Sequence, residues 1–417
     1  MAVASGMRVN AARLLAEIEA YAAIGATPGG AVHRPAFSDA DRAARERLAR
    51  SWQDLGLCVR LDPAANLFGS LQGRKPGPAL WVGSHLDTVP EGGPLDGALG
   101  VLAATEVLRC LVEAGYRPQH PIEAVNFTAE EPNPYGRSTI GSRAVAGRLR
   151  PFELESATPE GRTLAEALRS VGGDPERIEQ AQAAPGQVGA FVELHIEQGR
   201  RLFDAGIPVG VVSHVTALRR LRVRILGEAN HSGTTPMAAR RDALAGAAEL
   251  VLAVEAAARK AGDPAVATSG RVEVVPNAPN IVPGRVEMTV ELRSPQGPQL
   301  EALTEEIRRA ARAIGERRRL DVELTLVADT PPVEFDGQVR RVLRWACEAA
   351  GAPWLELASM AVHDAAHMAA VAPAGMLFVA SLEGKSHVRD ERSDPRAVGL
   401  AAQALLEAVV ALDQSLP

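Results

Sequence analysis

Apolar residues recur at helical spacing over residues 9–24 (Leu14, Leu15, Ile18, Tyr21, Ala22) and again over 39–55 (Ala43, Leu48, Trp52, Leu55), where the run stops at Gly56. The period then shortens. Leu57–Asp62 and Asn66–Leu71 read as a hairpin around Pro63, and Ala79–Val82 as the end of a buried strand. A helix from Ala98 to about Ala114, a strand Ile122–Thr128, a mostly helical stretch over 138–182 with turn signals at Gly172-Gly173-Asp174-Pro175, and a strand Val188–His195 follow. Strand alternating with helix predicts an α/β sheet.

The pattern changes near Ser213. Leu221, Val223 and Ile225 alternate as in a half-buried strand, and Ala239–Ala261 is a long Ala- and Leu-rich helix. Two strands, Val266–Val275 and Arg285–Arg293, are joined through Pro276-Asn277-Ala278-Pro279-Asn280. An amphipathic helix Leu300–Ile314 and a strand Asp321–Val327 follow. This β-α-β-β-α-β order is the ferredoxin-like split unit, and it predicts a domain at 213–329 inserted into a first domain made of 1–212 and 330–417. The α/β pattern resumes with a helix Gln338–Ala350, a strand Leu355–Ala358, a helix Asp364–Val371, a strand Met376–Val379, the loop Gly384-Lys385-Ser386-His387 and a final helix Pro395–Leu412.

Composition adds little to this and removes several alternatives. The chain has 417 residues, 46% hydrophobic and 23% charged, which suits two globular domains. A net charge of −6 without long charge runs gives no nucleic-acid surface. The basic cluster Arg317-Arg318-Arg319 reads as a solvated helix end. Cys58, Cys110 and Cys347 are scattered without metal-type spacing and suit a reducing compartment. With neither a signal-type apolar region nor a membrane-length run, a cytoplasmic protein is expected.

Chemistry concentrates where strands end. The stretch 81–97 places His85, Asp87 and Asp96 in a Gly- and Pro-rich loop between a strand and a helix. Glu130 and Glu131 follow the next strand, His195 closes another, and His387 lies in the last loop. Strand ends of an open α/β sheet face one crevice, and imidazole with carboxylate suits zinc and similar divalent ions. Each group alone reads as an ordinary polar loop; four such groups together point to a metal site.

The chain resembles the M20-type metallohydrolases, within them the hydantoinase/carbamoylase branch of N-carbamoyl-L-amino acid hydrolases, β-ureidopropionase and allantoate amidohydrolase. The resemblance is carried by Gly-Ser-His85-Leu-Asp87-Thr, Gly-Gly-Pro-Leu-Asp96-Gly, Thr-Ala-Glu130-Glu131, Glu-Leu-His195-Ile-Glu-Gln198-Gly, Asn-His231-Ser-Gly-Thr-Thr-Pro-Met, Pro-Asn277-Ala-Pro-Asn280, Leu-Arg293-Ser, His363-Asp364-Ala and Lys-Ser-His387. It implies an open mixed-sheet catalytic domain with an inserted ferredoxin-like α+β dimerisation domain. It also implies two divalent ions per subunit, zinc first, with manganese, cobalt and nickel also compatible. Asp96 would bridge the ions, His85 and His195 completing one and Glu131 and His387 the other. Asp87 would hydrogen-bond His85 and fix its tautomer. Glu130 would be the general base, and His231, reaching the site of the other subunit of a homodimer, the oxyanion donor. Gln198, Asn277, Asn280, Arg293 and His363 would contact substrate, with Arg293 suited to a carboxylate.

The reaction implied is hydrolysis of a linear non-peptide C–N bond in a small molecule, foremost the N-carbamoyl group of an L-amino acid or ureido acid. Allantoate, other N-acyl amino acids and dipeptides are the alternatives. Three stretches depart from the branch pattern. Pro132-Asn133-Pro134-Tyr135 replaces Gly-Ser-Arg-Phe, Met360-Ala361-Val362 replaces Gly-Ala-Gly, and Phe378-Val379-Ala380-Ser381 replaces Phe-Val-Pro-Ser. These put the substrate, not the catalytic set, in question.

Overall fold

A computed structural model of the chain describes residues 6–416. In chain order the strands are β1 (Cys58–Leu61), β2 (Leu67–Leu71), β3 (Ala79–His85), β4 (Ile122–Phe127), β5 (Val188–Ile196), β6 (Val209–Val215), β7 (Ala217–Leu226), β8 (Asn230–His231), β9 (Val266–Val275), β10 (Ile281–Val282), β11 (Arg285–Ser294), β12 (Asp321–Thr330), β13 (Val333–Glu334), β14 (Trp354–Ser359) and β15 (Ala374–Val379). The α-helices are α1 (Ala11–Ala22), α2 (Asp39–Asp54), α3 (Ala98–Glu113), α4 (Ile140–Val145), α5 (Leu164–Ser170), α6 (Arg201–Ala205), α7 (Ala243–Ala261), α8 (Gly297–Arg318), α9 (Gly337–Ala349), α10 (Asp364–Met368) and α11 (Pro395–Ser415). Two units form: one from the chain up to Ser213, Glu334–Leu357 and the chain from Val362, the other from His214–Val333 and Ala358–Ala361.

The first unit is built on a mixed sheet in the order β1-β2-β4-β3-β5-β15-β6-β13, with β14 also paired to β6. Its centre, β4-β3-β5-β15, is parallel, and antiparallel strands flank it. The central strands are buried along almost their whole length because helices and loops cover both faces, which is why they read as continuous apolar runs rather than alternating ones. Trp52 of α2 is fully buried and donates its Nε1–H to Thr105 Oγ1 of α3 at 2.9 Å, so the one polar atom of a large core side chain is satisfied. Helix α11 is apolar enough to cross a bilayer by composition, yet most of it is buried among the core residues of this unit, and that burial accounts for its composition.

In the second unit, β7-α7-β9-β11-α8-β12 forms an antiparallel sheet in the order β12-β7-β11-β9. Leu221, Val223 and Ile225 point to one face and pack with Val286, Met288 and Val290 under α7 and α8. Arg220 and Arg224 point to the other face, paired with Glu291 and Glu323. The strand period of two therefore sorts core from surface.

Two local expectations change. The helix expected from Ala239 starts at Ala243, because the Asp242 carboxylate accepts the N–H groups of Leu244 and Ala245 and caps it there, a contact that contributes about 1 kcal/mol. The stretch 138–182 is not mostly helical. It breaks into α4, a 3-10 turn at Pro151–Glu155, α5 and a second 3-10 turn at Pro175–Ala181. Prolines at both 3-10 starts remove the N–H groups that a continuing helix needs, and Gly161 and Gly172 adopt positive φ between them.

Candidate functional site

Parallel pairing aligns the carboxyl ends of β4, β3, β5 and β15 on one edge of the sheet. His85 is the last residue of β3, and Glu130 and Glu131 come three and four residues after the end of β4. His195 is the next-to-last residue of β5. Asp96 is delivered from the loop after β3, one residue before the turn that starts α3. Gly97 makes that turn at φ +65°, and a Cβ on it would fall 2.3 Å from the His85 ring. Both the left-handed backbone and the lack of space require glycine. Gly97→Ala is therefore expected to abolish activity by displacing His85 or Asp96, and metal analysis of the purified variant checks this; a fully metallated, active variant would refute it.

Asp96 is the meeting point. Its Oδ1 lies 3.1 Å from His195 Nε2 and 3.8 Å from His85 Nε2, and its Oδ2 lies 3.1 Å from His387 Nε2. His387 Nε2 is also 3.4 Å from Glu131 Oε1. The ligand atoms thus form two triads, His85/Asp96/His195 and Asp96/Glu131/His387, which share one carboxylate. Glu130 Oε2 stands 3.8 Å from His85 Nε2 on the same side. A third group, Glu193/His195/His363, lies behind the first, with the His195 and His363 rings edge to face at 4.4 Å.

Tautomers follow from main-chain contacts. His85 Nδ1 faces the carbonyl of Asp87 at 3.0 Å, and His195 Nδ1 faces that of Ile196 at 2.9 Å. A carbonyl only accepts, so each Nδ1 carries a proton, and Nε2 is the nitrogen that faces Asp96. Asp87 thus orients His85 through its main chain. Its carboxylate does something else: Oδ1 accepts the Glu130 N–H at 3.2 Å and Oδ2 the Glu131 N–H at 3.1 Å. One buried side chain sets the positions of both glutamates.

The electrostatics mark a place for positive charge. Burial, reinforced by the charge of Glu131, holds the Glu130 carboxyl well above the usual range, and burial with the charge of Asp96 pushes Glu131 up to about 8. Burial lowers His85 to about 4. For His195 burial acts downward, but the hydrogen bond and charge of Asp96 outweigh it and raise the group to about 9; the hydrogen bond to Asp96 raises His387 to about 9. Glu131 Oε1 is buried without a hydrogen-bond partner, and the Gln198 amide donates to Asp96 Oδ2 at 2.7 Å. A buried carboxylate oxygen without a hydrogen-bond partner, beside imidazole nitrogens and a shared carboxylate, is a donor set that fits divalent cations.

The remaining expected residues divide between the units. Gln198 belongs to the first and contacts both Asp96 and His387, the latter Nε2 at 3.3 Å. His363 lies at the start of α10, buried against His195 and Phe378. In the second unit, His231 on β8 pairs in register with Ile281, next to Asn280, whose carbonyl accepts the Ser232 N–H at 3.0 Å. His231 Nδ1 accepts the N–H groups of Gly233 and Thr234 at 3.0 and 3.2 Å. Its proton therefore sits on Nε2, and the exposed ring is a donor. Asn277 is exposed at φ +55° in the β9–β10 loop. Arg293 is engaged within its own unit, with Nε and Nη2 on Glu291 Oε1 at 2.9 and 2.7 Å and Nη1 on the Met360 carbonyl at 2.6 Å. In the Pro132–Tyr135 departure, Tyr135 is buried edge to face against Phe37 at 5.9 Å.

Among the described residues, the buried charges that brace the site and that the sequence reading did not single out include Arg34, Glu193 and Glu391. The Arg34 guanidinium donates to the carbonyls of Leu86, Tyr21 and Ile24 and so braces the loop after β3. Glu193 accepts from Ser84 Oγ at 2.7 Å and from the Ala365 N–H at 2.8 Å, tying β3 and α10 to β5. Glu391 accepts main-chain N–H groups from two separate loops. Glu193 stands two residues before His195 and Glu391 four after His387, which is the only local signal either carries.

An α/β sheet whose parallel strand ends gather histidines and acids into two triads about one shared aspartate offers a candidate metal centre of hydrolase type. The chain belongs to Peptidase family M20/M25/M40, whose model matches residues 81–411. It is 39% identical over 97% of its length to an N-carbamoyl-L-amino acid amidohydrolase of Geobacillus stearothermophilus, 99% of which is covered. It is 33% identical to a ureidoglycolate hydrolase of Arabidopsis thaliana, over 99% of this chain and 89% of that protein. A solved amidase of the hydantoinase/carbamoylase family from Burkholderia multivorans superposes with a TM-score of 0.86 at 34% identity, covering 97% of this chain and 98% of that one. The protein is a hydrolase of this family, in which divalent metals serve catalysis.

Proposed function

We propose that the protein hydrolyses the N-carbamoyl group of an L-amino acid or a related ureido acid, using two divalent ions, zinc first, held by the two triads. The observation that carries this reading is the division of Asp96: Oδ1 toward His85 and His195, Oδ2 toward His387 and Glu131. Among relatives, the Geobacillus stearothermophilus amidohydrolase supports the carbamoyl substrate. When bound, such ions supply Lewis acidity at this point, which lowers the pKa of water and polarises a carbonyl.

The chain's own residues do the rest. Asp87 holds the main chain of Glu130 and Glu131 so that the first is left for proton transfer while the second holds metal. Glu130 takes a proton from the attacking water and delivers it to the leaving nitrogen. The C–N bond to the amino-acid nitrogen breaks, releasing the amino acid and carbamate, and the carbamate then splits into ammonia and carbon dioxide. Gln198 offers an amide to the ureido group. His231, with its proton on Nε2, is assigned to the oxyanion, as the family likeness implies from the second copy of a homodimer. Asn277, Asn280, Arg293 and His363 are assigned to substrate. For Arg293 to bind a carboxylate it must exchange its Glu291 partner, a competition between like ligands. Unpaired cysteines, with Cys58 exposed, suit the cytoplasm.

A panel of N-carbamoyl-L- and D-amino acids, ureidoglycolate, allantoate, N-formyl amino acids and dipeptides, assayed with zinc, manganese, cobalt or nickel, tests the reading. N-carbamoyl-L-amino acids are expected to give the highest kcat/KM, and dipeptides at least about 100-fold less, because a site built to pair a ureido group leaves polar atoms unmatched with a peptide. Preference for dipeptides would overturn it. Light scattering at twice 43.9 kDa is the expected signature of the homodimer.

A further inference from the structure

Asp96 and His387 must meet at one point although they sit in loops far apart in the first unit's sequence. We propose that Glu391 is the positioning residue that holds these two loops in register for the metal pair; the proposal rests on the two-ion reading above. Its carboxylate divides its oxygens between the loops. Oε1 accepts the main-chain N–H of Leu95 at 2.8 Å and of Asp96 at 2.9 Å. Oε2 lies 3.3 Å from the His387 N–H and 3.2 Å from Ser386 Oγ. Ser386 Oγ is in turn 2.9 Å from Asp96 Oδ2. The circuit closes beside the shared carboxylate: Glu391 fixes the backbones of Asp96 and His387, and the Ser386 hydroxyl, with one proton to give to either acid, sits between Glu391 Oε2 and Asp96 Oδ2.

Two further observations set Glu391 apart from an ordinary loop acid. It is 1% exposed, and it belongs to none of the candidate metal-holding groups among the described residues, so its carboxylate acts through its neighbours. The chain also makes room for it. A Cβ on Gly93 would stand 2.3 Å from the Glu391 Cβ, Cδ and Oε1, so only glycine at that position lets the carboxylate lie against the Asp96 loop. A carboxylate is suited to this work because all its lone pairs accept, and the loops offer it three N–H groups, with the Ser386 hydroxyl shared between it and Asp96. Glutamine fits the space, but its NH2 would meet the His387 N–H donor to donor. Aspartate keeps the charge and the burial but is one methylene too short to span both loops.

The test is zinc titration of metal-free wild type, Glu391→Gln and Glu391→Asp in competition with a chromophoric chelator. Thermal melts of the same metal-free proteins accompany it. Wild type is expected to take up two zinc ions. Glu391→Gln is expected to bind zinc about tenfold or more weakly, the scale on which residues that orient metal ligands act, with a metal-free melt close to wild type. Equal zinc affinity in folded Glu391→Gln overturns the proposal, as does an affinity loss matched by loss of the metal-free fold. If Glu391→Gln does not fold, Glu391→Asp decides: a tenfold loss supports the proposal and wild-type affinity overturns it. Failure of wild type to bind two zinc ions would sink the two-ion reading instead, a separate result.

Discussion

Glu130→Gln is expected to lower kcat on an N-carbamoyl-L-amino acid by roughly 10²–10⁴-fold, the range that a positioned general base contributes, while metal content stays at the wild-type level. The substitution keeps the shape of the side chain and removes its capacity to take a proton. The surroundings of Glu130 make the experiment clean. Its N–H remains on Asp87 Oδ1, its neighbour Glu131 remains in the Asp96/Glu131/His387 triad, and the backbone that carries both is held by the second Asp87 contact. Its Oε2 faces His85 Nε2 at 3.8 Å, near enough to lean over a reacting water and outside both candidate triads. Steady-state kinetics with metal analysis on one preparation decide the matter. A kcat within tenfold of wild type at full metal content would move the base elsewhere, and loss of metal would make Glu130 a ligand.

Asp96→Asn should have the opposite signature. Metal content is expected to fall below one ion per chain, kcat to fall with it, and the melting temperature to lose its response to added zinc. Both triads contain Asp96, and each oxygen serves a different one. An amide keeps the volume but gives up the negative charge and one acceptor oxygen. The fold should survive, because the Glu391 contact is to the Asp96 main chain rather than its side chain. An ion that binds only the folded chain stabilises it by about 2.7 kcal/mol at a hundredfold excess over Kd, so the melt reports binding without any assay of turnover. His387→Ala, which touches a single triad, should retain one ion. Two ions in Asp96→Asn would show that the carboxylate is not shared.

These expectations place different demands on sequence and structure. The α/β alternation was legible because it is local: apolar runs of strand length between runs of helical period say where chain must be buried, and parallel strands covered on both faces leave that mark. The ferredoxin-like order was legible for the same reason, down to the alternation of Leu221, Val223 and Ile225 against Arg220 and Arg224. The strand β6 and the fragmenting of 138–182 were not. Val209–Val215 has too little pattern to separate from its surroundings, and the breaks come from prolines and glycines whose effect depends on the turns they are offered.

The sequence by itself determined which chemistry is available: imidazoles and carboxylates at strand ends, with glycine where backbone or ligand needs the space. Only the tertiary structure decided how they divide the work. It put the Asp87 carboxylate, whose Oδ1 lies 3.6 Å from His85 Nδ1, onto two main-chain N–H groups, committed Arg293 to Glu291, and brought Glu391 across 295 residues to the backbone of Asp96. The reason is physical. Periodicity reports burial, which neighbouring residues share, whereas a hydrogen bond is made by whichever donor the fold brings within 3 Å or so, and nothing in the linear order says which one that will be.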